Sequence, residues 1–239
     1  PVQLLESGPA AGALAAATLG QADGGAHVLA FDMGGTTAKL SVVDDGKPKV
    51  AYTFEAARQK RFVEGSGLPI RISTIELIEI GAGGGSIAHL DEIGLLKVGP
   101  ESAGSEPGPA AYGRGGKKPT VTDADFLLGY LNPDYFLGGL QKLDPKASHD
   151  AIKSKVADPL KLSVLEAAAG IRRIVDMRMA DEIRVFAAKR GVDLSVFTLL
   201  PFGGAGAVHA AAVAEELGMT RILVPPRPGA ALRLAAQRL

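Results

Sequence analysis

The chain has 239 residues, and 46% of them are hydrophobic, which is enough material to build one large domain or two small ones. Its 26 basic and 26 acidic residues cancel, so the charge favours neither nucleic acid nor an anionic membrane as a partner. The absence of cysteine excludes disulfides and thiolate sites. Apolar runs stop well short of about 18 residues and no secretion signal is visible, so we expect no membrane span and a cytoplasmic location.

The N-terminal third predicts a helix followed by strands. Small residues over 7–20 favour a helix, and apolar or β-branched runs over 28–33 and 38–43 predict a hairpin of two strands. A turn at 44–47 then leads to a third strand, which we expect over 48–54. The alternating residues 70–80 predict one long strand, and two short strands follow at 87–98.

Helices dominate the rest of the predicted structure. We expect Thr122 or Asp123 to cap a short helix, and a later helical segment from 148 to be interrupted at Pro159. The longest helix is predicted over 163–190, where Ser163 and Glu166 form a capping box and Gly191 ends the pattern. A strand at 197–201, a helix at 203–217 and a strand at 222–224 complete a β-α-β unit.

The segment FDMGGTTAKLSVV at 31–43 suits a triphosphate. Glycines let backbone amides approach phosphate oxygens, threonine hydroxyls add donors, and a carboxylate at the end of the strand can hold a hydrated magnesium ion. The candidate residues are Asp32, Gly34, Gly35, Thr36 and Thr37, with Asp32 as the metal ligand. The alternative is a tight hairpin that needs no ligand.

Two further glycine-rich turns are candidates for contact with an anion. The turn in LPFGGAGAVHA precedes a helix, whose N-terminus would favour a nucleotide, although it could instead be a helix packed closely on a strand. Its residues are Gly203, Gly204, Ala205 and Gly206. The turn at 81–86 is either an anion-binding nest of backbone amides or simply a turn.

Single polar residues in these motifs have ordinary structural explanations. Asp123 is more often a helix cap than a ligand at such a position. His89 and His209 lack a second ligand at a fixed spacing, which favours hydrogen-bonded structural roles over metal binding.

Taken together, the helix at 7–20, the hairpin and the GGAG segment resemble the second half of the actin, sugar-kinase and heat-shock-chaperone ATPase fold. A narrower resemblance covers most of the chain. SGPAAG, DMGGTT, IGAGGGSIAHLD, VGPESAGSEPGPAAYGRGG, PTVTDADFLLGYL and PFGGAGAVHA are similar to motifs of the hydantoinase A/5-oxoprolinase family. The first resemblance implies that 10–17 connects two domains, that 32–37 is the second phosphate loop and that 203–206 accepts the adenosine.

The family resemblance also implies an activity. It predicts an ATP-dependent enzyme that uses Mg²⁺ or Mn²⁺ and opens a small cyclic amide, such as hydantoin, 5-oxoproline or another lactam, by phosphorylating the amide oxygen. Asp32 and Asp123 are the predicted catalytic residues. A hydantoinase B-type subunit is the expected partner, and a homo-oligomer is a further expectation. The alternatives are the ATP-using subunit of an acetone-type carboxylase and a non-enzymatic, actin-like or chaperone-like nucleotide-binding module.

The resemblance predicts an α/β fold, the second domain of an actin-like (ribonuclease H-like) ATPase with a family-specific insertion. We expect one domain over 1–239, made of a connector and phosphate-loop part (1–55), a glycine-rich insertion (56–135) and a helical part with the adenosine turn (136–239). The family's first phosphate loop would precede the connector, so we expect an incomplete two-domain enzyme with little ATPase activity alone. A gene remnant is the other explanation, and the tail at 230–239 departs from the family pattern.

Overall fold

A computed structural model describes residues 7–52, 54–56, 68–70, 74–226 and 228–230, so the unusual tail at 231–239 lies outside the described part. The helices are α1 (Ser7–Ala22), α2 (Val121–Leu127), α3 (Pro145–Ile152), α4 (Asp158–Leu160), α5 (Val164–Arg190) and α6 (Gly203–Leu217). The strands are β1 (Val28–Met33), β2 (Ala38–Asp44), β3 (Lys47–Pro48), β4 (Val50–Ala51), β5 (Phe54–Ala56), β6 (Leu68–Ile70), β7 (Thr74–Ile75), β8 (Ile78–Ile80), β9 (Ser86–Leu90), β10 (Leu96–Ser102), β11 (Thr198–Phe202) and β12 (Arg221–Ile222).

A mixed sheet forms the centre of the fold, with the strand order β12-β11-β1-β2-β3 and β8 also paired with β2. Strand β1 runs parallel to β11 and antiparallel to β2, and β11 runs parallel to β12. The carboxyl ends of β1 and β11 therefore meet at one edge of the sheet. The turns that follow these two strands must lie side by side at that edge.

Helices cover both faces of this sheet, and the alternation of side chains along β1 explains how. Val28 and Ala30 belong to a core with the small residues of α1, whereas Leu29, Phe31 and Met33 belong to a larger core with α5 and α6. Successive strand residues point to opposite faces, so a nearly continuous apolar run is required in a strand that is buried on both sides. The small residues of α1 allow it to pack closely on the sheet.

Several predicted elements are confirmed. The strand over 28–33 and the helix over 203–217 have the expected bounds. The long helix begins after Ser163, whose hydroxyl accepts the amide of Glu166 while the Glu166 carboxylate accepts the amide of Ser163. It ends at Gly191, which has φ +62° and so adopts the left-handed conformation that favours glycine.

The predicted third strand over 48–54 and the single strand over 70–80 are wrong. Instead, the short strands pair with several neighbours: β3 with β2, β4 with β7, β5 with β6, and β8 with β2. Residues 53 and 71–73 lie outside the described part. Alternating hydrophobicity identifies extended residues but not their hydrogen-bonding partners, which explains the error.

Two helix boundaries also differ from the predictions. Thr120, rather than Thr122 or Asp123, is the N-cap of α2, and Asp123 is the third residue of a capping box. Pro159 does not interrupt the helical segment, because the π-helical stretch at Lys153–Ala157 leads directly into α4, and Pro159 lies in the first turn of α4. Within the described residues, no helix combines the length and apolarity that crossing a membrane requires. The three-part division at 55 and 135 stays a prediction.

Candidate functional site

The predicted phosphate loop is the turn between β1 and β2. The amide of Gly34 donates to the carbonyl oxygen of Thr37 at 3.0 Å and closes the turn. Gly35 and Thr36 are exposed at its tip, while Met33 on the strand before it is buried. The apolar strands thus fix the base of the turn, and its tip remains accessible to a ligand.

Asp32 lies at the end of β1, opposite Lys39 on β2 and beside Phe202 on β11. Burial raises the pKa of the Asp32 carboxyl above its usual value, and the positive charge of Lys39 partly opposes that rise. A cavity of about 10 Å³, large enough for about one water molecule, is lined by Asp32, Lys39 and Gly12 of α1. The predicted connector helix and the predicted metal ligand therefore border the same small space.

Sequence reasoning missed Lys39. The signal for it was the register of the hairpin. Asp32 and Lys39 are cross-strand partners in β1 and β2, and such partners face the same side of the sheet. A cation held directly opposite Asp32 balances part of the carboxylate charge. It also adds a positive group at the edge where a phosphate would bind.

Gly203 brings the second candidate turn directly against the first. Its φ is +77°, and a Cβ at this position would overlap the carbonyl oxygen of Met33 and lie 2.6 Å from Oδ1 of Asp32. Gly206 lies three positions further along α6, and a Cβ added there would be 3.3 Å from the carbonyl oxygen of Phe31. Glycine is therefore required at 203 for both its conformation and its close contact.

The N-terminus of α6 consequently opens at the same edge as Asp32. Phe202 precedes the helix and provides no side-chain cap, and Gly204 has no atom within 4 Å of the position that a Cβ would occupy. The first amides of a helix have no intrahelical acceptor, and together with the helix dipole they favour an anion. The structure thus brings the two predicted nucleotide-contacting turns together.

The glycine-rich turn at 81–86 supports the phosphate loop from behind. The amides of Gly84 and Gly85 donate to the carbonyl oxygens of Gly34 and Gly35, at 3.0 and 2.6 Å. A Cβ on Gly83 would lie 2.7 Å from the backbone nitrogen of Thr36. These two amides are used within the protein, which favours a structural turn over an anion-binding nest.

Helix α2 holds this supporting turn in place. The hydroxyl and the amide of Thr122 both donate to the carbonyl oxygen of Gly84, at 2.8 and 2.7 Å. A Cβ on Gly84 would lie 2.7 Å from that hydroxyl oxygen. The phosphate loop, the supporting turn and the start of α2 therefore form one backbone-linked unit.

Asp123, the second predicted catalytic residue, is fully buried. Its carboxylate accepts hydrogen bonds from the amides of Ala110, Ala111 and Thr120 and from the hydroxyls of Thr120 and Ser148, at 2.7–3.3 Å. These donors come from three separate segments, which the carboxylate ties together. The geometry supports the alternative weighed from the sequence, a helix cap, and the catalytic role of Asp123 stays a prediction.

A second group of buried charges includes His209, which the sequence identified only as a lone histidine. Its ring nitrogens lie 2.6 Å from Asp176 and 3.1 Å from Asp125, and Arg172 bonds to Asp125 at 2.6 Å. Burial alone would lower the pKa of His209, but its hydrogen bonds to the two carboxylates outweigh this and raise the pKa to about 9. The spacing of Arg172 and Asp176 was visible in the sequence, but their partners on other helices were not.

Comparison with known proteins identifies the family of this chain. A family model described as hydantoinase/oxoprolinase matches residues 1–236. The chain belongs to the hydantoinase/oxoprolinase family. The caprolactamase alpha subunit of Pseudomonas jessenii is 41% identical over 94% of this chain and 31% of its own length.

Two solved structures place the fold within this family. A nucleotide-free structure of acetone carboxylase has a TM-score of 0.82 and 34% identity, over 96% of this chain and 31% of that one. The ATP-dependent caprolactamase of P. jessenii has a TM-score of 0.81 and 39% identity, over 95% of this chain and 32% of that one. These matches confirm the expected α/β fold and the expected family. The chain spans about a third of the length of some curated relatives and 17–18% of the length of others.

The residues of this hydantoinase/oxoprolinase chain fit a nucleotide and a divalent cation at the β1–β11 edge. The uncapped N-terminus of α6 and the glycine cradle suit phosphate oxygens, and the half-buried carboxylate of Asp32 suits a hydrated hard cation. Within the described residues, one group brings three ligand atoms within 4.8 Å of one another: His27, Asp44 and Asp45, at the opposite end of the hairpin. The assignment of Asp32 as a magnesium ligand stays a prediction.

The contact at Gly203 predicts a sharp difference between neighbouring glycines. Gly203→Ala would force alanine into a left-handed conformation and against Met33, so we expect the free energy of unfolding to fall by about 2 kcal/mol or more. Gly204→Ala, with open space around it, is the matched control and should be as stable as the parent. Urea unfolding measures both variants, and equal stability of the two would contradict the proposed packing.

The network around Asp123 predicts a loss of stability. In Asp123→Asn, an amide nitrogen would face hydrogen-bond donors in a buried site, so we expect a loss of about 2–4 kcal/mol. Asp193→Asn is the control, because Asp193 makes similar local hydrogen bonds to Ser195 at an exposed site. A stable Asp123→Asn variant whose turnover fell at least 100-fold would instead support the catalytic prediction.

Proposed function

We propose that this chain is the nucleotide-binding part of an ATP-dependent enzyme that opens cyclic amides. The observation that supports it best is the meeting of three predicted elements at one edge of the sheet. At Gly203, the start of α6 lies against Met33 and the carboxylate of Asp32, the two residues that lead into the turn at 34–37. A solved relative that shares this fold is described as an ATP-dependent caprolactamase.

Each element has a distinct task in this proposal. The exposed amides of Gly35 and Thr36 and the threonine hydroxyls of the 34–37 turn bind the phosphate oxygens, and the turn at 203–206 contacts the adenosine. Asp32 would hold the hydrated magnesium or manganese ion, and Lys39 would offset phosphate charge. Catalysis by such residues consists of positioning and charge stabilisation rather than bond formation to the protein.

ATP would supply the phosphoryl group that makes the amide reactive. An unstrained amide carbonyl is a poor electrophile, and transfer of the phosphoryl group to its oxygen provides a leaving group for attack by water. The substrate would be a lactam or related cyclic amide, in the classes of hydantoin, 5-oxoproline and caprolactam. The backbone support behind the loop keeps the phosphate donors in place during this step.

An ATP-using role in carboxylation is the second candidate. The similarity to acetone carboxylase, with a TM-score of 0.82, favours it as directly as the caprolactamase match favours amide opening. In this proposal both reactions would use ATP bound at the same nucleotide site. Amide opening and carboxylation differ in the group that reacts with the activated substrate.

We further propose that a second subunit of the hydantoinase B type completes the enzyme. The caprolactamase relative is itself named as an alpha subunit. An ATP-consuming reaction of this kind suits the cytoplasm, as the sequence predicted. Association with a second copy of the same chain also stays a prediction.

The decisive experiment measures substrate-dependent ADP release. It uses the full-length protein, by which we mean this chain within a polypeptide of its relatives' length, together with its partner subunit. Hydantoin, 5-oxoproline and caprolactam are tested singly, and acetone is tested with and without bicarbonate. ADP release stimulated by a cyclic amide supports the first candidate, and stimulation only by acetone with bicarbonate supports the second. No stimulation by any of them contradicts the proposed enzyme class.

Asp32→Asn should separate stability from activity. Because burial raises the pKa of Asp32, its stabilising contribution is present below the usual Asp pKa and is lost as pH rises through the folded pKa. At pH 7 the ionised carboxylate therefore costs stability, and the variant should unfold at the same or a higher temperature. Its ATP-dependent rate should fall about 100-fold, because the metal-holding charge is gone.

Asp134→Asn is the control for this substitution, since Asp134 pairs with Lys142 on the exposed surface. It should change neither the melting temperature nor the rate. An Asp32→Asn variant that melts earlier than the parent but retains its full rate would argue against the assignment of Asp32.

A further inference from the structure

Four charged side chains from three helices form a buried ion cluster, defined here as Asp125 of α2, Arg172 and Asp176 of α5, and His209 of α6. His209 is fully buried, and the two carboxylates are at most 6% exposed. Arg172 bonds to Asp125 at 2.6 Å and lies 3.6 Å from Asp176. The cluster therefore connects α2, α5 and α6 through charge-assisted hydrogen bonds.

The geometry of the buried ion cluster requires a protonated His209. Each ring nitrogen faces an oxygen of a different aspartate, at 2.6 Å for Asp176 and 3.1 Å for Asp125. An ionised carboxylate only accepts hydrogen bonds, so with both aspartates ionised each ring nitrogen carries a proton. Two positive and two negative groups then balance, whereas a neutral imidazole would leave one carboxylate facing a lone pair and a net buried negative charge.

Arg172 fixes the backbone of α6 as well as the cluster. Its guanidinium donates to the carbonyl oxygen of Val208 at 2.6 Å and stacks 3.8 Å from the ring centre of Tyr130. A groove of about 300 Å³ opens beside Arg172 and Asp176. The other charged residues that line this groove are Arg173 on α5 and Glu215 and Glu216 on α6.

The cluster lies close to the predicted nucleotide-contacting turn. His209 is six residues after Gly203, which is about 9 Å along the axis of α6. Helix α2 contributes Asp125 to the cluster and, through Thr122, holds the glycine turn that supports the phosphate loop. Helix α2 thus contacts the glycine turn behind the predicted phosphate loop and also α6, which begins at the second predicted nucleotide-contacting turn.

We propose that the buried ion cluster positions the N-terminus of α6 against the phosphate loop, and that protonated His209 thereby sets the affinity for the nucleotide. His209 is a positioning residue in this role, because it acts through α6 and touches no nucleotide itself. The proposal deepens the proposed function and rests on it for the identity of the ligand. Buried ion clusters are costly and need not stabilise a fold, so their value here lies in orientation.

The first test is a pH series on the full-length wild-type protein with its partner subunit. The KM for ATP should be constant from pH 7 to about 8 and then rise about tenfold by pH 10, as His209 loses its proton. The kcat at saturating ATP should change less than twofold over the same range. A KM for ATP that stays flat to pH 10 would overturn the proposal, as would a fall in kcat without a change in KM.

The second test uses variants. His209→Gln should raise the KM for ATP about tenfold at pH 7.5 and abolish its rise at alkaline pH. Adding Asp125→Asn removes one negative charge to match the lost positive charge, so the double variant should recover part of the affinity. His149→Gln, an exposed histidine on α3, is the matched control and should behave as the parent does. A double variant no better than His209→Gln, or a single variant with an unchanged KM, would contradict the role of charge balance.

A third measurement needs no nucleotide and therefore separates this proposal from the proposed function. Hydrogen–deuterium exchange of 203–217, corrected for the intrinsic rate, should show protection that falls about tenfold between pH 8 and pH 10 in the wild type. The segment 145–152 of α3 serves as an internal reference. If protection is lost at alkaline pH in a protein whose enzyme assay shows no ATP turnover, the proposed function is wrong but the positioning of α6 is supported. Unchanged protection between pH 8 and pH 10 would disprove the positioning of α6. If a variant fails to fold, the pH series on the wild-type protein still tests the proposal.

Discussion

The parallel pairing of β1 with β11 is the constraint on which the candidate site depends. It places Asp32 beside Phe202, so the two turns that follow these strands emerge side by side. The approach is so close that a Cβ on Gly203 would overlap Met33. Any change in the register of this pair would separate the carboxylate from the N-terminus of α6, and the arrangement that suits a nucleotide would be lost.

Backbone groups hold most of this arrangement, which explains why so many glycines surround it. The turn at 83–85 donates amides to the predicted phosphate loop and has no room for side chains of its own. Thr122 then links this turn to α2. A loop supported by hydrogen bonds between backbones keeps its donors in place when a ligand arrives, so little ordering entropy remains to oppose binding.

Three aspartates illustrate how the environment of a carboxylate determines its task. Asp123 is surrounded by five hydrogen-bond donors and ties segments together. Asp125 is paired with Arg172 and His209 and joins helices. Asp32, by contrast, is half-buried, and burial raises the pKa of its carboxyl while the positive charge of Lys39 partly opposes the rise. A carboxylate in that condition gains most from a cation, which is why Asp32 remains the best metal ligand in the proposal.

The sequence by itself determined the local elements and the family. The capping box of α5, the hairpin at 28–43 and the glycine turn before α6 depend on neighbouring residues, so their patterns were legible without a structure. Only the tertiary structure decided the pairing of the short strands between 47 and 80 and the partners of His209. Asp125 lies 84 residues from His209 along the chain, and such a contact depends on how α2, α5 and α6 pack rather than on any periodicity. Local hydrogen bonds and side-chain alternation fix secondary structure, whereas the contacts that give a buried charge its role form only when distant segments pack together.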